Sequence, residues 1–296
     1  MIVTVFALTI FLIGGTCGAV VKRQASAPVF HRTKVGTVTS KHITEASGLG
    51  ASRKHPGMLY THNDHGSGPE IHVILATSGH REATFTLTGV TSKDYEDMAV
   101  GRCAPHDDVH SCIYLADVGD GGSSAANNIY RIREPDVIED QTIHISDMDK
   151  LEFTWDQADC ETLMVGPDAN LYIISKADNA QGTIAQLPYT AWGTNTRIDV
   201  SSTAIINIQS TKSDPVGGDI SFDGTEILVK AKHAMYYWST QDASVDYVDL
   251  LSNTPGVHVT YIDEPQGEAV CWDVTSQGYY TLSEGDDQPL YHYVRE

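Results

Sequence analysis

The chain has 296 residues, of which 41% are hydrophobic, so it can bury a sizeable core. Its 39 acidic residues outnumber its 19 lysines and arginines, which gives a formal net charge of −20 at pH 7. A field of this sign repels phosphate backbones and anionic lipids, so we expect neither nucleic acid nor a membrane as partner. The charge favours cations, or a site that needs a metal ion to receive an anion.

Residues 1–19 form an apolar run that ends in small residues, MIVTVFALTIFLIGGTCGA. This pattern predicts a signal peptide cleaved after Ala19, and therefore a secreted, extracellular protein. The alternative is a membrane anchor, for which the run is short. Lys22-Arg23 offers a second processing site within a short segment of residues 20–27. With no linker in the rest of the sequence, residues 28–296 are predicted to form a single domain.

A short pattern, a glutamate with apolar residues two and four places later, occurs three times. The copies are YEDMAVG, CETLMVG and GEAVCWD, which contain Glu96, Glu161 and Glu268. Two weaker copies carry Ser47 in the glutamate position, or Gly218 with Asp219 beside it. Successive copies are 49 to 65 residues apart. A period near fifty residues is typical of propellers and solenoids.

Each copy is followed by further runs rich in tyrosine and β-branched residues. In the first repeat these runs are Met58–Asp64, Ile71–Thr77 and Glu82–Val90. Four strands per repeat correspond to one propeller blade. The fifth repeat lacks a fourth strand, whereas Arg32–Thr39 is a strand without a blade. We therefore predict an all-β, five-bladed β-propeller with four antiparallel strands per blade, in which the N-terminal strand closes the last blade. A six-bladed alternative requires a repeat hidden around Pro135–Asp149.

Removal of Cys17 with the signal peptide leaves four cysteines, an even number that permits disulfides in a secreted chain. Cys103 and Cys112 flank a polar loop between two predicted strands and form the best candidate pair. Cys160 and Cys271 lie at different heights on inner strands of different repeats. They are too far apart to bridge and are expected to be buried free thiols.

The repeated glutamates are expected to surround one end of the propeller channel, because the first strand of each blade lines it. Carboxylates so close together raise each other's pKa. A hard dication removes this conflict, and calcium prefers carboxylate and hydroxyl oxygens. The alternative is that each glutamate bonds backbone amides of the neighbouring blade. The sequence predicts a Ca²⁺ site formed by Ser47, Glu96, Glu161, Asp219 and Glu268.

Residues at the ends of the second strands are expected on the same face as the glutamates. Asp64 and His65 in LYTHNDHG, and Lys176 in LYIISKAD, are the candidate catalytic residues. Asp64 or His65 would activate water, and Lys176 would neutralise developing negative charge. The alternative is that these loops are ordinary polar turns.

In these motifs the chain resembles the secreted five-bladed propellers of the calcium-dependent apyrase type, which hydrolyse nucleoside di- and triphosphates. That family has a serine in the fourth blade where this chain has Gly218, with Asp219 adjacent. The family's phosphate-binding arginines are absent here, where the corresponding run contains only Lys176. The resemblance thus implies the fold and the metal more than the activity. The calcium ligands that it implies are Ser47, Glu96, Glu161 and Glu268.

Three functions stay open on the sequence. The first is a metal-dependent hydrolase acting on a phosphate ester, an anhydride or another ester at the channel mouth. The second is a non-catalytic carbohydrate- or ligand-binding propeller with structural calcium. The third is a glycosidase that uses two channel carboxylates as acid and base. We expect a monomer with a small-molecule or glycan ligand at the propeller face.

Overall fold

The computed structural model describes residues 27–119, 126–176, 182–194, 196–201, 204–208 and 214–296. The predicted signal peptide and the Lys22-Arg23 pair lie outside these ranges. The described residues form five separate sheets of four or five strands.

The five sheets follow one another along the chain, and each begins with its innermost strand. The first contains β2 (Ala46–Ala51), β3 (Met58–Asn63), β4 (Glu70–Leu75), β5 (Arg81–Thr88) and β9 (Gln141–His144). The second contains β6 (Tyr95–Arg102), β7 (Ser111–Asp117), β8 (Asn127–Arg133), β10 (Asp149–Trp155) and β14 (Ile198–Val200). The third contains β11 (Cys160–Val165), β12 (Leu171–Ser175), β13 (Thr183–Leu187) and β15 (Ala204–Ile205). The fourth contains β16 (Pro215–Ile220), β17 (Glu226–Ala231), β18 (Ala234–Ser239) and β19 (Val257–His258). The fifth contains β20 (Gly267–Trp272), β21 (Gly278–Ser283), β22 (Gln288–Arg295) and β1 (Phe30–Val38).

The inner strands form a closed ring. Each contacts the inner strand of the blade before it and of the blade after it, and β20 contacts β2. The molecule is therefore a five-bladed β-propeller, as predicted. Its last blade is completed by β1, which pairs antiparallel with β22 from Phe30 opposite Arg295 to Val38 opposite Gln288. This pairing removes two strand edges that would otherwise be open, and it confirms the predicted closure.

Three features differ from the predicted four-strand pattern. Strands β9 and β14 add to the outer edges of the first and second blades in parallel orientation. Because β9 occupies the stretch where a six-bladed arrangement needs a hidden repeat, that alternative is wrong. The fourth strand of the fourth blade is reduced to the two residues of β19.

A short helix, α1 (Tyr247–Asn253), precedes β19. It begins at Asp246, whose side chain accepts hydrogen bonds from the amides of Val248 and Asp249. No helix in the described ranges has the length and apolar character that crossing a bilayer requires.

The core is divided among the interfaces between blades. Five apolar clusters are present, one between each pair of neighbouring blades. Full burial of a large side chain contributes about 1.5–3 kcal/mol before the cost of ordering the chain. One tyrosine from each blade packs into or against these clusters: Tyr60, Tyr114, Tyr172, Tyr237 and Tyr280.

The cysteines behave as the sequence predicts. Cys103 and Cys112 form a disulfide across the hairpin that joins β6 to β7, with 5.0 Å between their Cα atoms. Cys160 and Cys271 are buried free thiols in two different interface clusters.

Candidate metal centre

Each inner strand carries an irregularity near its first residue, where its register with the second strand shifts. Such a β-bulge leaves a residue unpaired and redirects its side chain. The bulge residue is Glu96 in the second blade, Glu161 in the third and Glu268 in the fifth. Ser47 lies within the bulge of the first blade. Four of the five predicted ligands therefore occupy the same structural position.

The fourth blade departs from the predicted alignment. Its bulge lies between Pro215 and Gly217, so Val216 and not Gly218 corresponds to the glutamates. Asp219 lies three residues further along the strand, inside the channel, where its Oδ2 accepts the N–H of Trp272 at 2.9 Å. Burial raises the pKa of Asp219 to about 7. The structure thus does not bring Asp219 to the channel mouth.

The other predicted site residues meet at one end of the channel. A cavity of about 390 Å³ there brings together the three glutamates and all three candidate catalytic residues. Ser47 donates its hydroxyl to the backbone carbonyl of Glu96 at 2.6 Å and lies 3.5 Å from Glu268 Oε2. The cavity, called the acidic mouth below, is lined by Asp64, His65, Asp94, Glu96, Asp159, Glu161, Lys176 and Glu268.

Two groups of three carboxyls lie close enough to share an ion. In each group one oxygen per residue lies within 4.8 Å of the others. The first triad is Asp64, Asp94 and Glu96, and the second is Glu96, Asp159 and Glu161. Sequence reasoning missed Asp94 and Asp159. Each precedes its glutamate by two residues, so an Asp-x-Glu pattern repeated in two blades was the available signal.

The carboxyls of the acidic mouth cannot all ionise without a cation. Burial, together with the charges of Glu161 and Asp64, raises the pKa of Glu96 to about 10. Burial and contact with Glu284 raise the pKa of Glu268 to about 8. Burial and Asp94 raise the pKa of Asp64 to about 7. Loss of hydration and repulsion between neighbouring carboxylates are the two causes of these pKa shifts.

Lys176 supplies a cation to the second triad. Its Nζ lies 2.6 Å from Glu161 Oε1 and 3.6 Å from Asp159 Oδ2. Burial still raises the pKa of Glu161 to about 7, because it outweighs the attraction of Lys176. Beside the first triad, His65 Nδ1 lies 3.4 Å from Asp94 Oδ1, and 71% of the His65 side chain is exposed. Lys176 is the only lysine or arginine among the described residues that line the cavity.

Hydrogen bonds and a close backbone approach hold the loops that position the first triad. Oδ1 of Asp117 accepts the amides of Lys93 and Asp94, at 2.8 and 3.0 Å, which fixes the segment before Glu96. Gly119 leaves room for Glu96, since a Cβ on Gly119 would lie 1.8 Å from Glu96 Oε1.

The donor chemistry of the triads fits a hard cation. All the side-chain atoms that they offer are carboxylate oxygens, and Ser47 adds a hydroxyl. Calcium accepts such oxygens in loose geometry, whereas zinc and copper favour nitrogen and sulfur.

No protein-family model matches this chain, and no curated protein matches it. Solved structures share its fold at low identity. The PQQ-bound aldose sugar dehydrogenase from Streptomyces coelicolor superposes with a TM-score of 0.51 at 10% identity, over 91% of this chain and 100% of that one. A luciferin-regenerating enzyme gives 0.46 at 11% identity, over 90% and 95%. A gluconolactonase-like protein gives 0.46 at 9% identity, over 90% and 92%.

These similarities concern the fold alone. Fold and site together define a five-bladed β-propeller with an acidic pocket at one end of its channel. None of the three structures is described as an apyrase, so the apyrase resemblance stays a prediction.

Proposed function

We propose that this protein is a calcium-binding propeller that hydrolyses a phosphate ester, an anhydride or another ester at the acidic mouth. The observation that supports the proposal is the acidic mouth itself, where six of the eight lining residues are Asp or Glu. A bound dication would let these carboxyls ionise together, and no other described feature of the cavity supplies that much positive charge.

Calcium would be held by the first triad, Asp64, Asp94 and Glu96, because Lys176 already compensates the second. Glu268 lines the same cavity, and the hydroxyl of Ser47 lies 3.5 Å from its Oε2. Calcium accepts about 6–8 oxygens, some of which are usually water, so an incomplete protein shell is no obstacle.

When bound, calcium would polarise a phosphoryl or ester oxygen of the substrate. With Asp64 in the ligand set, His65 is the better candidate to take a proton from water. Its Nδ1 faces Asp94, which leaves Nε2 to accept the proton. Lys176, at the other side of the cavity, would bind developing negative charge.

The second candidate is a non-catalytic ligand-binding propeller with structural calcium. It is favoured by the engagement of Lys176 with two carboxylates and by the lack of arginine among the lining residues. An anionic substrate would then find no unpaired strong cation apart from the metal.

Elemental analysis of the purified protein, with melts in calcium and in EDTA, tests the metal. The calcium-loaded protein is then assayed on nucleotides, phosphomonoesters and carboxylic esters, beside Glu96→Gln and the exposed control Glu82→Gln. Bound calcium, together with turnover that is lost in Glu96→Gln but kept in Glu82→Gln, supports the hydrolase. Calcium without turnover selects the binding propeller, and no metal with no EDTA effect contradicts both.

We also propose that the protein is secreted. The Cys103–Cys112 disulfide is typical of oxidising compartments. N-terminal sequencing of protein from the culture medium would locate the cleavage site, and retention of residues 1–19 would contradict the proposal.

A further inference from the structure

A second cavity lies at the opposite end of the channel. The segments that follow the five inner strands meet there, and all of them lie within the described residues. A cavity of about 430 Å³ at this end is lined by four basic side chains, in a protein whose net charge is −20. We call it the basic mouth, defined by Arg53, Lys54, His110 and Arg133.

The acidic residues of the basic mouth are already engaged. Asp108 Oδ1 accepts a hydrogen bond from Arg102 Nη2 at 2.6 Å. Asp107 Oδ2 lies 3.0 Å from Nδ1 of His110.

Glu134, the third acid of this cavity, is buried. It accepts hydrogen bonds from the hydroxyl of Tyr60 at 2.9 Å and from the amide of Arg53 at 3.0 Å. Lys54 pairs with Asp136. Two arginines are thus left to interact with something else.

Arg53 has no hydrogen-bond acceptor for its guanidinium among the described residues. Its Nε and Nη1 are buried and unpartnered. Asp219, inside the channel, attracts Arg53 electrostatically, yet no hydrogen bond joins them and Asp219 Oδ1 is also unpartnered. A buried donor without an acceptor costs about 1–3 kcal/mol, more when it is charged.

Arg133 lines the same cavity, and its guanidinium has neither a hydrogen bond nor an ion pair with a described residue. Arginine forks match carboxylate and phosphate geometry. The two guanidinium groups thus offer a built receptor for an oxyanion.

An apolar surface adjoins the two arginines. The ring of Phe222 lies under the guanidinium groups of Arg53 and Arg102, 4.9 and 4.5 Å from its centroid. Val109 and Val274 also line the cavity, with 84% and 38% of their surfaces exposed. Apolar side chains next to unpaired cations suit a ligand that has an apolar part and an anionic group.

We propose that the basic mouth binds a small organic anion. Its carboxylate or phosphate group bonds to Arg53 and Arg133, and its apolar part packs against Phe222, Val109 and Val274. This site is separate from the acidic mouth and does not depend on the metal.

Calorimetric titration of the EDTA-treated protein with benzoate, acetate and inorganic phosphate tests the proposal. EDTA removes metal that would hold the anions at the acidic mouth. We expect Arg53→Gln and Arg133→Gln each to weaken benzoate and phosphate binding by about 10-fold or more, the loss that follows removal of one charged hydrogen bond. Arg197→Gln, which alters an exposed arginine outside the cavity, should leave both affinities unchanged.

Three results would overturn the proposal. One is no binding of either benzoate or phosphate to the wild type. Another is unchanged affinity in Arg133→Gln, which alters an exposed side chain and should keep the fold even if Arg53→Gln does not. The third is benzoate that binds no more tightly than acetate, which would contradict the proposed packing of the ligand's apolar part against Phe222, Val109 and Val274.

Discussion

The ammonium group of Lys176 lies 2.6 Å from Glu161 Oε1, and it belongs to the only lysine or arginine among the residues that line the acidic mouth. Glu161 comes from the inner strand β11, and Lys176 from the residue that follows the neighbouring strand β12. The third blade therefore carries its own counter-charge. No lysine or arginine from the first or second blade is among the described residues that line the cavity beside the first triad.

Replacing Lys176 with glutamine should destabilise the metal-free protein and enlarge the stabilisation by calcium. The partly exposed ion pair contributes about 1 kcal/mol at most. That corresponds to a decrease of roughly 2–4 °C in the melting temperature without metal. Calorimetry in EDTA and in calcium would measure both effects, with Lys34→Gln, another exposed lysine, as control. An unchanged melting temperature in EDTA would argue that the ion pair contributes nothing.

Glu96→Gln should abolish calcium binding, because Glu96 belongs to both carboxyl triads. In EDTA the variant should melt near the wild-type temperature, since a pKa of about 10 leaves Glu96 uncharged when no metal is bound. Thermal melts with increasing calcium would show no shift, whereas Glu82→Gln should behave as wild type. A calcium-dependent rise in the variant equal to that of wild type would exclude Glu96 as a ligand.

Gly119→Ala should weaken calcium binding by displacing Glu96. The added Cβ would lie 1.8 Å from Glu96 Oε1 and 2.7 Å from Asp94 Oδ2, so two carboxylates of the first triad would have to move. We expect calcium affinity to fall by about 10-fold, equal to about 1.4 kcal/mol. Gly68→Ala is the matched control, because the nearest atom to its Cβ would be 3.8 Å away. Equal affinities for the two variants would contradict this role.

The metal-free protein should become less stable as the pH rises from about 5 to 8. The pKa of Glu161 is raised from 4.5 to about 7, and that of Glu268 from 4.5 to about 8. In this window the folded protein binds more protons than the unfolded chain, so the free energy of unfolding falls with rising pH.

Calcium should oppose this trend, because protons compete with the metal for the same oxygens. Its affinity should therefore increase over the same pH range. Melts in EDTA and in calcium at each pH would measure the two slopes. A metal-free stability that does not fall towards pH 8 would mean that these carboxyls ionise in the folded protein as readily as in the unfolded chain.

The blade count could be read from the sequence because each inner strand repeats the same bulge and burial pattern. Ser47, Glu96, Glu161 and Glu268 were aligned correctly for that reason. The fourth blade was misaligned because the position of its bulge depends on pairing with β17, and Val216 has no polar group to mark it.

The parallel strands β9 and β14 were missed because each has only four or three residues and pairs with a distant segment. Asp94 and Asp159 join the site through loop conformation. Asp159 even has a positive φ of 60°, which no periodicity reveals. The basic mouth was missed for a similar reason, since Arg53 follows β2 in the first blade and Arg133 ends β8 in the second, and only the folded ring brings them to one cavity.

The pairing of β1 with β22 also sets the timing of folding during synthesis. Phe30 is made long before its partner Arg295. The first four blades can assemble before β22 is made, whereas the fifth has to wait for β22. Until then β1 is an unpaired strand that is open to association with other chains. A nascent chain stalled before β22 should therefore be the form that aggregates most readily.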